Sequence, residues 1–252
     1  ATENILMASV LAKGETKILN AAREPEIEDL SNCLIKMGAK IEGHGTKTIL
    51  VQGVTNLKKA EHEIISDRIV AGTYIIAALM LNSTLEINNF NTIYLKSLID
   101  ILKKMGAKLK VSKNSIKVFK GSKLKSSSLS TSPYPGFPTD LQAQLMSLMC
   151  ISDGKSKIKE TIFENRFMHV PELNRLGANI TVEKDTATII GNQTFKGAQV
   201  MASDLRASIS LVLAAMNANG QTTLNRVYHL DRGYENIEKK LKKVGAKIRR
   251  VN

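Results

Sequence analysis

The chain has 252 residues, 43% of them hydrophobic and 23% charged, which is ordinary for a globular protein able to bury a sizeable core. Its longest apolar runs, around 75–81 and 211–216, are far short of the roughly 20 residues that a membrane span needs, and no signal or transit pattern opens it. The two cysteines, Cys33 and Cys150, lie inside helical patterns and fit a reducing, cytoplasmic setting, four scattered histidines suggest no metal site, and the net charge of +13 leaves open a partner that is nucleic acid or a small anion.

The chain starts at Ala1, and Thr2-Glu3-Asn4 runs straight into an apolar helix, the beginning expected of a fragment or a processed chain. That helix covers about Thr2–Ala12, with a strand at Thr16–Asn20, a helix at Glu24–Met37 and a hairpin of Ala39–Glu42 with Thr48–Gln52. After a link at about Val54–Ile65 the order returns: helix Arg68–Leu81, strand Thr84–Asn88, helix Asn91–Met105, hairpin Ala107–Val111 with Ser115–Phe119. Between Lys120 and Pro138 the pattern lapses into Lys, Ser and three prolines, which exclude helix and predict the longest loop. A third round begins at Thr139, with Gln142 as a capping-box partner. It gives a helix to Ile151, strand Lys155–Glu160, helix Phe167–Leu176 and hairpin Ala178–Glu183 with Ala187–Ile190. The fourth has helix Asp204–Asn217, strand Thr222–Arg226, helix Gly233–Val244 and one last strand, Ala246–Val251, whose hairpin partner another segment must supply.

One signature marks all four rounds. Met37-Gly38-Ala39-Lys40, Met105-Gly106-Ala107-Lys108, Leu176-Gly177-Ala178-Asn179 and Val244-Gly245-Ala246-Lys247 each end an amphipathic helix, with glycines 68, 71 and 68 residues apart. A glycine there can take the left-handed conformation that terminates a helix. A period near 70 residues is too long for a solenoid unit and suits a repeated α/β subdomain. The lysine runs Lys103-Lys104, Lys239-Lys240 and Lys242-Lys243 fall late in helices, where cations oppose the dipole, so a solvated face accounts for much of the charge. Aromatic residues are 4% and do not interleave with the basic ones, which counts against stacking on single strands.

Chemistry concentrates where the chain enters helices. Arg23-Glu24-Pro25-Glu26, Glu164-Asn165-Arg166-Phe167-Met168-His169, Asp204-Leu205-Arg206-Ala207-Ser208 and His229-Leu230-Asp231-Arg232-Gly233-Tyr234-Glu235 carry arginines and acids at equivalent loops. Helix N-termini attract anions, and arginine binds phosphate and carboxylate bidentately. These residues alone point either to a pocket for a substrate bearing phosphate and carboxylate or to loop ion pairing. Three first helices also open with Ser66-Asp67-Arg68, Thr139-Asp140-Leu141 and Ser203-Asp204-Leu205-Arg206, where capping is the first role to expect of the acids.

Several of these segments resemble the enolpyruvyl transferase family, and within it the branch acting on UDP-N-acetylglucosamine. They are Ala21-Ala22-Arg23-Glu24-Pro25-Glu26-Ile27, Pro138-Thr139-Asp140-Leu141-Gln142-Ala143-Gln144, Phe163-Glu164-Asn165-Arg166-Phe167-Met168-His169-Val170-Pro171-Glu172-Leu173, Asp204-Leu205-Arg206-Ala207-Ser208 and Tyr228-His229-Leu230-Asp231-Arg232-Gly233-Tyr234-Glu235. The resemblance implies an inside-out α/β barrel of β-α-β-α-β-β subdomains about pseudo-threefold axes, two domains of three repeats each, with substrates in the cleft between them. It also implies addition–elimination, moving the enolpyruvyl group of phosphoenolpyruvate to the sugar 3-hydroxyl and releasing phosphate, at the start of peptidoglycan synthesis and with no metal or organic cofactor. By the same resemblance Asp140 touches that hydroxyl as its base, Ile162 lines the nucleotide-sugar site through its backbone, and Arg206 and Arg232 contact phosphoenolpyruvate. Arg166 and Glu164 belong to the same cleft.

The resemblance covers about the last three-fifths of such a protein, so that residues up to about 63 would close a first domain and 64–252 form most of a second. The cysteine loop, a lysine and a phosphate-gripping arginine of the family fall in the part before it, and neither Cys33 nor Cys150 matches that cysteine. The expectation is a chain inactive by itself, whose partners are the two substrates and the preceding part of the same enzyme, with no membrane. The alternative is a non-catalytic half-protein that binds nucleotide sugar or nucleic acid through its basic surface.

Overall fold

A computed structural model describes residues 1–251. The chain divides into two compact units, one of Ala1–Ser66 with Pro133–Gly136, the other of Asp67–Ser132 with Phe137 onward.

The first unit holds α1 (Thr2–Ser9), β1 (Glu15–Leu19), α2 (Pro25–Lys36), β2 (Lys40–Glu42) and β3 (Thr48–Gln52). Its antiparallel sheet has the order β1-β3-β2, so the strand that comes last in sequence lies in the middle. Leu6, Ile18, Ile27, Leu34, Ile49 and Val51 form the core under it. Pro25 sits in the first turn of α2, where its missing N–H costs nothing. The Tyr134 amide donates to Glu24 Oε1 at 3.5 Å.

The second unit repeats the plan. Its elements are α3 (Arg68–Met80), β4 (Leu85–Asn88), α4 (Lys96–Lys104), β5 (Leu109–Val111) and β6 (Ser115–Val118), then β7 (Leu129–Ser130), α5 (Gln142–Ile151), β8 (Lys155–Lys159), α6 (Val170–Arg175), β9 (Asn179–Glu183) and β10 (Thr186–Ile190). The fourth round supplies β11 (Gln199–Met201), α7 (Leu205–Asn217), β12 (Thr223–Asn225), α8 (Tyr228–Asp231) and α9 (Ile237–Lys243). Sheet orders β4-β6-β5 and β8-β10-β9 match that of the first unit, with β7 added in parallel at the edge of β8 and β11 in parallel beside β12. The helices differ by layer. α4 is amphipathic, burying Leu98, Ile99 and Leu102, whereas α3, α5 and α7 are apolar nearly all round and pack on one another inside.

The four Gly-Ala sites are scaffold. Gly38, Gly106, Gly177 and Gly245 have φ between 96° and 104°. Behind each, the alanine N–H reaches back to the helix (Ala39 to Leu34, Ala107 to Leu102, Ala178 to Leu173, Ala246 to Leu241), the Schellman geometry expected of such a stop.

Some predicted elements are corrected. The helix expected from Phe167 begins only at Val170, because Pro171 belongs in a first turn and its ring disfavours helix before it. The helix expected from Gly233 begins at Ile237, after a left-handed Asn236. The strand expected at Ala246–Val251 does not form, since no strand among the described residues lies in the central slot that pairs with it in the other repeats. Thr139 and Gln142 make no capping box: the helix opens with a 3-10 turn at Thr139–Leu141, and the Thr139 hydroxyl bonds elsewhere.

Candidate active site

The inner helices α3, α5 and α7 begin with equivalent aspartates that are used differently. Asp67 caps α3, accepting from the Ile69 and Val70 amides at 2.8 and 2.9 Å. Asp204 caps α7, accepting from Arg206 and Ala207 at 2.8 and 3.0 Å. Asp140, inside the 3-10 turn ahead of α5, caps nothing. Its Oδ1 accepts from Arg166 Nη2 at 2.8 Å and its Oδ2 from Arg206 Nη2 at 3.0 Å. The two guanidinium side chains are 16% and 19% exposed, while the carboxylate keeps 41% of its surface open.

Burial pushes the Asp140 carboxyl upward, but Arg206 first, then Arg166 and the buried Arg68 at the start of α3, outweigh it and hold its pKa below the ordinary carboxylate value. Asp140 is therefore ionised, with cations from three segments around it. Arg206 responds in kind: burial alone would lower its pKa, and Asp140 raises it above the ordinary guanidinium value.

A second layer fixes this arrangement. Gln144 Nε2 donates to the Asp140 carbonyl at 2.9 Å and reaches Thr73 Oγ1 and Tyr234 Oη at 3.3 and 3.4 Å. Thr73 and Tyr234 bond each other at 2.8 Å, so α3, α5 and the segment that carries Arg232 are tied together below the carboxylate. Gly233 lies against the Leu205 side chain at the start of α7, where a Cβ would stand 2.9 Å from Cδ2. Arg232 is thus anchored through its neighbours, while its own side chain is exposed and makes no hydrogen bond or ion pair among the described residues.

The turn at 161–169 forms one edge. Ile162 and Phe163 are exposed, and the Arg166 guanidinium stacks 4.8 Å above the Phe163 ring, a cation–π contact that steers it toward Asp140. The Ile162 amide donates to Glu160 Oε1, and its carbonyl accepts no hydrogen bond among the described residues. What its backbone leaves for a ligand is an acceptor. Glu164 is exposed and is not drawn into the cluster. His169 is 2% exposed, and burial pushes its pKa down to about 4, so the ring is neutral between Arg166 and the Asp204 cap.

Of the residues singled out from the sequence, Asp140, Arg166 and Arg206 meet directly, and Ile162 lies on the same turn as Arg166. Arg68, Thr73, Gln144, Glu160, His169 and Tyr234 were not assigned to the site. The Ser-Asp-Arg opening of α3 signals Arg68, since it parallels the openings that hold Asp140 and Arg206; Gln144, His169 and Tyr234 lie within the segments that carry the resemblance without a role of their own there, and Thr73 and Glu160 carry no local mark. Among the described residues no group of His, Cys, Asp and Glu could hold a metal ion, and no helix is long and apolar enough to cross a membrane.

Residues 1–241 match the EPSP synthase (3-phosphoshikimate 1-carboxyvinyltransferase) family. The chain is 54% identical over its whole length to a UDP-N-acetylglucosamine 1-carboxyvinyltransferase of Pelagibacter ubique and to one of Endomicrobium trichonymphae, spanning 60% of each. Among solved structures, the enolpyruvyl transferase NikO from Streptomyces tendae superposes with a TM-score of 0.88 at 29% identity, over 97% of this chain and 58% of that one. EPSP synthase from Acinetobacter baumannii shares the fold, with a TM-score of 0.75 at 19% identity over 98% of this chain and 60% of that one. The chain spans about three-fifths of the relatives it matches, and with its repeated α/β architecture it belongs to the EPSP synthase family of enolpyruvyl transferases.

Proposed function

We propose that these residues are the larger part of a UDP-N-acetylglucosamine 1-carboxyvinyltransferase, which moves the enolpyruvyl group of phosphoenolpyruvate to the sugar 3-hydroxyl and releases phosphate. The observation that carries the reading is Asp140. Alone among three equivalent aspartates it gives up its capping role and faces open space between two arginines. The identity to relatives bearing that name, far above the 19% to EPSP synthase, favours a nucleotide sugar over a shikimate acceptor.

In this reading Asp140 accepts the proton of the 3-hydroxyl as the oxygen attacks C2 of phosphoenolpyruvate and C3 takes up a proton to give a tetrahedral intermediate; phosphate then leaves from C2 as C3 gives up a proton, which restores the double bond. Arg206 and Arg232 bind the phosphate and carboxylate and stabilise the departing charge. A carboxylate held below its ordinary pKa by two guanidinium ions is a weak base. An arriving anion that draws Arg206 away from Asp140 raises its proton affinity, so base strength appears only when phosphoenolpyruvate is bound. Domain limits near residue 63, a cytoplasmic setting and dependence on a preceding part of the enzyme belong to the same proposal.

The test joins the part of the Pelagibacter ubique relative that precedes this match to Ala1. The fused protein is expected to release phosphate from phosphoenolpyruvate with UDP-N-acetylglucosamine but not with shikimate 3-phosphate, and the 252-residue chain alone to release none. In the fused protein Asp140→Asn should cut turnover by roughly 100-fold or more with an unchanged circular dichroism spectrum. No release by the fused protein removes the reading; near-normal turnover of Asp140→Asn removes the base.

A further inference from the structure

Glu160 directly follows β8 and is 5% exposed, and its carboxylate collects four hydrogen bonds from three segments. Oε1 accepts from the Thr131 hydroxyl at 2.8 Å and from the Ile162 and Phe163 amides at 2.9 and 3.1 Å. Oε2 accepts from the Thr139 hydroxyl at 2.9 Å, one residue before Asp140. Thr131 in turn accepts from the Thr161 amide at 2.9 Å, and its carbonyl accepts from the Thr161 hydroxyl at 2.6 Å. All four donors to the carboxylate are neutral. A buried carboxylate is costly unless its lone pairs are filled, and an apolar side chain would hold the end of a strand more cheaply. The cost is met here by joining two places that the fold would otherwise leave independent: the turn that presents Asp140 and the turn that presents the Ile162 carbonyl.

We propose that Glu160 is a positioning residue for the acceptor sugar, fixing the distance between the Asp140 carboxylate and the Ile162 carbonyl. The proposal rests on the reading of those two groups as sugar contacts. Through Oε1 the Ile162 amide is consumed internally, so that residue can meet the sugar only as an acceptor. Through Thr139 the same carboxylate sets the start of the 3-10 turn, and with it the point from which Asp140 reaches the 3-hydroxyl. Neither bond reaches the arginines assigned to phosphoenolpyruvate directly; Arg206 is touched only through its ion pair with Asp140, so the sugar should respond to the loss much more strongly than phosphoenolpyruvate.

The experiment uses the fused full-length protein. Glu160→Ala should raise KM for UDP-N-acetylglucosamine about tenfold or more, the loss of one charge-assisted bond's worth of binding, with KM for phosphoenolpyruvate changed less than about threefold. Glu160→Gln, which keeps an acceptor for the Ile162 and Phe163 amides, should recover most of the difference. Thr139→Val removes only the link toward Asp140 and should raise the sugar KM alone, which keeps the proposal testable if Glu160→Ala does not fold. A sugar KM unchanged in the folded variants, or both KM values rising together, overturns the role. A wild-type fused protein that releases no phosphate brings down the underlying reading instead, and is told apart by its silence before any substitution is made.

Discussion

At the scale of single residues, His169 shows how the site constrains stability. The ring is enclosed by the turn bearing Arg166 and by the Asp204 cap of α7, and its Nε2 has no hydrogen-bond partner. Burial dominates and lowers its pKa to about 4; Asp204 raises it, and Arg166 lowers it further. Unfolded, the same ring titrates near 6.5. Between those values the unfolded chain binds a proton that the folded chain refuses, so stability falls as pH drops from about 6.5 to about 4. The span corresponds to an order-of-magnitude loss of about 3 kcal/mol from this group alone. Urea unfolding at pH 7 and pH 4.5 should therefore show a smaller acid loss in His169→Gln than in the wild type; equal losses would place the acid sensitivity elsewhere. Asp140 adds a loss of the same sign at lower pH, because a carboxyl with a depressed pKa contributes stability that disappears as it protonates.

At the scale of elements, three buried helices bring their first turns to one place, and their closeness is set by small residues. Gly72 in α3 is the clearest case: a Cβ there would stand 2.8 Å from Leu141 Cδ1 and 3.1 Å from Leu98 Cδ2, both in side chains that are fully buried. Alanine would gain up to about 1 kcal/mol of helix propensity, but overpacking costs about 1–3 kcal/mol, and Leu141 adjoins Asp140. Gly72→Ala is expected to be net destabilising in urea unfolding, with Gly72→Ala/Leu141→Val recovering part of the loss; a more stable Gly72→Ala would mean that α3 has room to move. Element type was legible in the sequence because periodicity and the Gly-Ala stops act locally. The fate of the starting aspartates was not. By local pattern alone Asp67, Asp140 and Asp204 read alike; the family resemblance sets Asp140 apart, and the arginines arriving from residues 166 and 206 are what take it out of a capping role. Glu160 was likewise invisible as a hub, since its partners lie up to 29 residues away and read separately as loop threonines and a turn.

At the scale of the whole molecule, repetition made the fold readable while the departures from it carried the site. The four Gly-Ala stops predicted the subdomains; at 246–251 the local pattern promised a strand, and among the described residues none forms there, because a strand also needs a neighbour to pair with. The strand order also dictates a timetable. In every complete sheet the middle strand is the last of its three to leave the ribosome, so no sheet has a centre until its repeat is almost finished. β3 pairs with β2 at a sequence separation of as little as 8, Glu42 with Leu50, but with β1 at no less than 29, Leu19 with Thr48. Loop-closure entropy favours the hairpin first by about 1 kcal/mol. Pulse-labelled hydrogen exchange during refolding should protect the β2–β3 amides before those that join β1, and the β5–β6 amides before those that join β4. Each repeat is thereby built as a clasp that shuts on a waiting edge, leaving the first strand of each round exposed until its hairpin arrives.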